Sequence, residues 1–202
     1  MLSYYSFHLN PNSDKHVRMK FLLDFKKKLI NSDKYDTILN KAIVGLFNNS
    51  KFDVSNTDLI IVPSSTSNLN IDIANKIKNK IPNALFIKGV LSKNALENIT
   101  LDANKLAEKH VKVETVAALQ DILNKATASG QFQMKKVPPQ FRKFIINFLK
   151  LDNTNRILLN RLHGGKILIV DDFTTSGTTF SEIKRVIDTY MPEQVIYYTL
   201  FA

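Results

Sequence analysis

Two adjacent carboxylates, Asp171 and Asp172, close a run of four apolar residues, Ile167-Leu168-Ile169-Val170. After Phe173 comes a stretch of small residues, Thr174-Thr175-Ser176-Gly177-Thr178-Thr179. The apolar run reads as a strand buried on both faces, and Phe180 to Tyr190 reads as an amphipathic helix. The intervening loop then lies at the carboxyl end of a parallel strand and at the amino end of a helix. Backbone N–H groups there are not consumed by the helix, and its dipole favours an anion. Gly177 permits close backbone approach, and the hydroxyls add donors without bulk. Such a loop suits a phosphate monoester, and the two acids suit neighbouring hydroxyls, as on a ribose. The competing reading is an ordinary strand followed by a polar, capped helix, which gives two carboxylates at a buried strand's end no task.

A second loop has the same setting. Leu59-Ile60-Ile61-Val62 is another short apolar run, followed by Pro63-Ser64-Ser65-Thr66-Ser67-Asn68. Ile71, Ile73, Ala74, Ile77 and Ile81 predict a helix, and Ala84 to Ile87 predict a strand, which together make a βαβ unit. In an open parallel sheet, loops at the carboxyl ends of strands converge on one crevice. Pro63, Ser64, Ser65 and Thr66 are therefore a second candidate anion grip, with a plain serine-rich turn as the alternative.

The remaining elements position these loops. Tyr4 to Leu9 read as a short strand, and Pro11-Asn12-Ser13-Asp14 as a turn and helix cap. Val17, Phe21, Leu22, Phe25 and Leu29 predict a helix running to about Ile30, and Tyr35 to Phe47 predict another. Residues 90–160 read as a polar, helical insertion without a strand, with helices at Leu101 to His110, Val113 to Ala128 and Pro139 to Leu149. His163-Gly164-Gly165 turn into the Ile167 strand, and Gln194 to Phe201 form a last strand. The expected fold is α/β, a doubly wound and mainly parallel sheet with a helical insertion, in one domain over residues 1–202.

Composition sets limits. The chain has 202 residues, 44% of them hydrophobic, which is enough for a full core. It has no cysteine, so disulfides and thiolate metal sites are excluded. There is no apolar run of membrane-spanning length and no secretory leader pattern, so the expectation is a cytoplasmic protein with no membrane partner. The net charge of +10 admits nucleic-acid binding, but no motif supports it. The basic residues are dispersed, and the longest run, Lys26-Lys27-Lys28, reads as a solvated helix face. The four histidines stand apart without metal-ligand spacing.

The stretch from Ile167 to Thr179 resembles the phosphoribosyl-pyrophosphate (PRPP) signature of the type I phosphoribosyltransferases: an apolar strand, two acids, two spacers, then a Thr-Thr-Gly-x-Thr loop. Asp171 and Asp172 match the acids, Phe173 and Thr174 the spacers, and Thr175, Ser176, Gly177, Thr178 and Thr179 the loop, with Ser176 a conservative variant. The resemblance implies a type I phosphoribosyltransferase-like fold and Mg²⁺-dependent transfer of a 5-phosphoribosyl group to a nitrogenous base or amine, with release of pyrophosphate. It implies that Thr174 to Thr179 clamp the 5-phosphate, and that Asp171 and Asp172 hold the ribose 2- and 3-hydroxyls directly or through Mg²⁺. Pro63, Ser64, Ser65 and Thr66, with Lys88 and Lys93, would meet pyrophosphate. Lys135, Lys136 and Arg142 fall where the family has a flexible covering loop. The ligand is PRPP or another small molecule containing ribose 5-phosphate, and a homodimer is compatible with the family.

The purine enzymes of the family carry a base-stacking hood after the signature helix. Here a single strand follows, an ending similar to that of the ComF-type phosphoribosyltransferase-like proteins. A hood would have to come from residues 1–58, through Tyr4, Tyr5 or Phe7, unless those aromatics are core, or from the insertion. Two other readings stay open. One is a non-catalytic PRPP- or nucleotide-sensing module, and the other is a PRPP synthetase relative.

Overall fold

The computed structural model describes residues 2–7, 12, 14–63, 68–152, 156–173 and 177–201. In chain order its elements are β1 (Leu2–Phe7), α1 (Lys15–Lys26), α2 (Ser32–Phe47), β2 (Leu59–Val62), α3 (Asn68–Lys80), β3 (Leu85–Lys88), β4 (Leu91–Lys93), β5 (Thr100–Leu101), α4 (Ala103–Glu108), α5 (Val113–Ala128), β6 (Ile145–Ile146), β7 (Leu149–Leu151), α6 (Arg156–Leu162), β8 (Lys166–Phe173), α7 (Thr178–Asp188) and β9 (Gln194–Phe201). The chain divides into two compact units, Met1–Val90 with Asn153–Thr174 and Ile187–Ala202, and Leu91–Asp152 with Thr175–Val186.

The first unit holds a five-stranded sheet in the order β1-β9-β8-β2-β3, and every neighbouring pair is parallel. This is an α/β architecture compatible with a doubly wound fold. All four residues of β2 are buried, as a strand covered on both faces requires. One sheet face, with Ile60, Val62, Leu168, Val170, Ile196, Tyr198 and Leu200, shares a core with Leu22 and Phe25 of α1, Leu39, Ile43 and Leu46 of α2, and Leu69, Ile73 and Ile77 of α3. Each such side chain contributes roughly 1.5–3 kcal/mol through burial. Tyr4 stacks on Tyr198 with centroids 5.9 Å apart, and Phe7 meets Phe201, so these two aromatics are core; Tyr5 is exposed.

Asp58 secures the amino ends of three strands. Its carboxylate accepts the Lys166 N–H at 2.9 Å, its N–H donates to the Lys166 carbonyl, and its carbonyl accepts the Leu85 N–H. The turn into β8 depends on Gly165, where an added Cβ would stand 2.0 Å from the Arg161 carbonyl oxygen.

α1 stops at Lys26 instead of running to Ile30. Asp14 caps its start, with its carboxylate accepting from the His16 and Val17 N–H groups. At its end Lys28 takes φ +55, the Lys28 N–H donates to Phe25 and the Leu29 N–H to Asp24, the paired bonds of a Schellman turn. Without the usual glycine the sequence gives no sign of it, and Leu29 is left exposed.

The second unit corrects the strand-free reading of residues 90–160. It contains two short antiparallel ladders, β4 with β7 and β5 with β6. α5 forms as predicted and packs Leu119 and Leu123 with Phe132, Val137 and Phe144. The predicted helix from Pro139 to Leu149 is instead a 3₁₀ segment to Phe144 followed by β6 and β7. Two features account for this. The cross-strand pairing of Ile145 and Ile146 with Leu101 and Thr100 takes up backbone groups a helix would need, and Asn147, at φ +63, takes a conformation a helix does not admit. No described helix is long and apolar enough to cross a membrane.

Candidate ligand site at the carboxyl end of the sheet

Strand order places β8 beside β2, and this is where the winding reverses. From β2 the chain moves outward to β3, and from β8 it moves the other way to β9. In open α/β sheets ligands bind outside the carboxyl ends of the strands at such a switch point. The two candidate loops leave from these two adjacent strands. Ser64, Ser65, Thr66 and Ser67 of one, and Thr174, Thr175 and Ser176 of the other, lie outside the described residues. Pro63 is buried at the end of β2.

At the end of β8 the two acids are held differently. Asp171 Oδ1 accepts the Asn70 side-chain N–H at 3.1 Å and the Asp172 backbone N–H at 2.9 Å, and its Oδ2 accepts the Tyr197 hydroxyl at 2.9 Å. Burial, and then the neighbouring Asp172 charge, push the Asp171 pKa above the usual carboxylate range, while these three donors pull it partly back. Burial, and then the Asp171 charge, raise the Tyr197 phenol, so it stays a donor. Asp172 is 6% exposed, and its Oδ2 lies 2.7 Å from the Lys26 ammonium at the last turn of α1.

Three partners in this cluster were not assigned to it from the sequence. Asn70 had a legible signal, since it occupies a core slot in the helical series Asn70, Ile73, Ala74, Ile77, where an apolar residue is the norm. It is fully buried, and its Oδ1 has no hydrogen-bond partner among the described residues. Tyr197 could be placed only once the β8–β9 register was known. Lys26 is a correction. Within the run Lys26-Lys27-Lys28, Lys27 and Lys28 are exposed as a solvated face requires, with Lys28 pairing with Asp72 at 2.8 Å, but Lys26 is half-buried and pairs with Asp172.

In the second unit, Gly177 has φ +67 with open space where a Cβ would be, and its carbonyl accepts the Ser181 N–H at 2.8 Å to open α7. Thr178 is buried and Thr179 exposed. Within the same unit, Glu182 is 3% exposed, accepts the Leu149 N–H at 3.3 Å, and is gripped by Arg185 through two bonds of 2.9 and 3.0 Å. Lys88 ends β3 and Lys93 ends β4, both exposed. Lys93 borders a cleft of about 290 Å³ with Asn94, Leu96 and Phe132. The Arg142 guanidinium donates to the Val137 carbonyl at 2.9 Å, and Lys166, at the start of β8, pairs with Glu193 at 3.4 Å.

Mg²⁺ held directly by the acid pair would need carboxylate oxygens turned towards it in near-octahedral geometry. Both Asp171 oxygens accept hydrogen bonds and Asp172 Oδ2 is on an ammonium. As arranged, three of the pair's four carboxylate oxygens are engaged, a poor fit to a directly coordinated Mg²⁺. Among the described residues no group of three or more His, Cys, Asp or Glu side chains forms a metal cluster.

The chain matches no protein-family model, no curated protein and no solved structure.

Proposed function

We propose that this chain is a type I phosphoribosyltransferase-like protein that binds PRPP and transfers its 5-phosphoribosyl group to a nitrogenous base or amine. The observation that carries this reading is the acid pair itself. Asp171 and Asp172 close a buried parallel strand at the switch point of the sheet, next to a buried Asn70 carbonyl with no partner among the described residues. Buried polar atoms left without a partner are rare, and a donor from a ligand hydroxyl would satisfy this one. The matching sequence of the Thr174 to Thr179 loop, following directly on the acids, supplies the second support.

Phosphoribosyl transfer breaks the bond between ribose C1 and the pyrophosphate oxygen, and positive charge develops on the ring, as in glycoside chemistry. The protein's work is then positional and electrostatic. Asp171 and Asp172 accept from the ribose hydroxyls, and their negative charge favours the cationic transition state. Thr174, Thr175, Ser176, Gly177, Thr178 and Thr179 receive the 5-phosphate, and Ser64, Ser65 and Thr66 the leaving pyrophosphate. Mg²⁺ belongs to this proposal on the resemblance alone, as the companion ion of PRPP's pyrophosphate.

Incubating the protein with PRPP, Mg²⁺ and a panel of bases and amines tests the reaction. Pyrophosphate release with any acceptor supports transfer. Binding of PRPP with turnover of none favours the sensing module. Pyrophosphoryl transfer from ATP to ribose 5-phosphate would favour the synthetase.

A further inference from the structure

We propose that Lys26 is a residue of the ligand site and the resident cation of the Asp171–Asp172 pair, so that in this chain Asp172 holds an ammonium in the place of a directly coordinated divalent ion. The proposal rests on the acid pair being a ligand site, and draws on the PRPP reading only for the ligand's identity.

The position of Lys26 is built, not incidental. It is the last residue of α1, and the Schellman turn at Lys28 fixes where that helix ends. A helix's carboxyl end carries partial negative charge, which holds a cation at that point. Lys26 Nζ stands 2.7 Å from Asp172 Oδ2, the distance of a charge-assisted bond. The Lys26 side chain is 35% exposed and that of Asp172 only 9%, so Lys26 is the more accessible member of the pair.

While Lys26 occupies Asp172, the other half of the cluster alone leaves a metal ion little to hold. Asp171 Oδ1 already takes two donors, from Asn70 and the Asp172 backbone, and Oδ2 takes the Tyr197 hydroxyl. Hydrogens on these donors point at the oxygens a cation would need. The Asn70 carbonyl, buried and unpartnered among the described residues, is an independent sign that the cluster is arranged for a ligand. It asks for a donor, whereas an ammonium can only give. A ligand hydroxyl does both: it accepts from Lys26 and donates to Asn70 or a carboxylate. The chemical class that fits is a polyol, such as a sugar's vicinal diol, bound without a metal bridge to the acids. Lys26 thereby gives the amino-terminal segment a direct part in the site.

The test is a Mn²⁺ titration of the full chain, followed by water-proton relaxation, for wild type, Lys26→Met, Lys26→Arg, Asp172→Asn and Lys26→Met with Asp172→Asn. Wild type and Lys26→Arg should show no site tighter than about 1 mM, whereas Lys26→Met should gain one at least about tenfold tighter, lost again in the double variant. The proposal is overturned if wild type holds Mn²⁺ in a site that Asp172→Asn removes, or if folded Lys26→Met gains none. Should Lys26→Met fail to fold, the wild-type, Lys26→Arg and Asp172→Asn titrations still decide it. Mn²⁺ held by either of the first two and lost in the third refutes it; no such site supports it. PRPP appears in none of these titrations, so their failure leaves the transferase reading standing, and a chain that does not bind PRPP can still satisfy them.

Discussion

The Tyr197 hydroxyl reaches Asp171 Oδ2 diagonally across two parallel strands, for it is Ile169, not Asp171, that lies in register with Tyr197. A phenol bonded to a carboxylate favours the ionised acid. Tyr197→Phe should therefore cost roughly 1.5–3 kcal/mol when Asp171 is charged and less when it carries a proton. Denaturant melts near pH 9 and near pH 4 check this. The loss should be greater at the higher pH, and an equal loss at both would show that the bond does not discriminate between charge states.

Asp171 itself links stability to pH. Its folded-state pKa lies above the ordinary value, chiefly through burial, so the folded chain holds this proton more tightly than the unfolded chain does. The stabilisation is fully present below the unfolded pKa and is lost as pH rises through the folded one. Asp171→Asn removes that dependence. Across a pH series from acid to neutral, the melting temperature of the variant relative to wild type should rise steadily. A flat difference would mean that the carboxyl titrates normally.

Two glycines should separate stability from binding. Gly165→Ala drives a Cβ into the Arg161 carbonyl oxygen and should destabilise by about 1–3 kcal/mol or more. Gly177→Ala meets open space but must hold φ +67, costing about 1–2 kcal/mol while leaving the protein folded. Thermal melts rank the two. Under the phosphate-loop proposal only Gly177→Ala should, while folded, also weaken PRPP binding.

Glu182 ties the start of α7 to β7 through the Leu149 N–H and also takes Arg185. Glu182→Ala should cost about 1–3 kcal/mol, since it strips a buried acceptor from two donors. Hydrogen exchange at Leu149 should speed up accordingly; unchanged protection would mean that the bond contributes nothing.

How much of this was legible in the sequence depended on how local the cause was. β2, α5 and β9 formed where apolar runs and helical spacing put them, because the pattern of side chains alone decides which face is buried. The small ladders of the second unit were missed because strands of two or three residues have no period to read. Asp171 and Asp172 stood out by type and place. Asn70 could have been found as a polar residue in a core slot. Tyr197 needed a register, and Lys26 needed both an unmarked Schellman end and the docking of α1 on the sheet. Those are long-range facts that no window of sequence contains.

Calorimetric titration of PRPP with Mg²⁺ into wild type and into Asp171→Asn with Asp172→Asn bears most directly on the central claim. Saturable binding to wild type, weakened at least about tenfold in a folded double variant, is the predicted result. Equal affinity in the two proteins, or no binding to wild type, would contradict it.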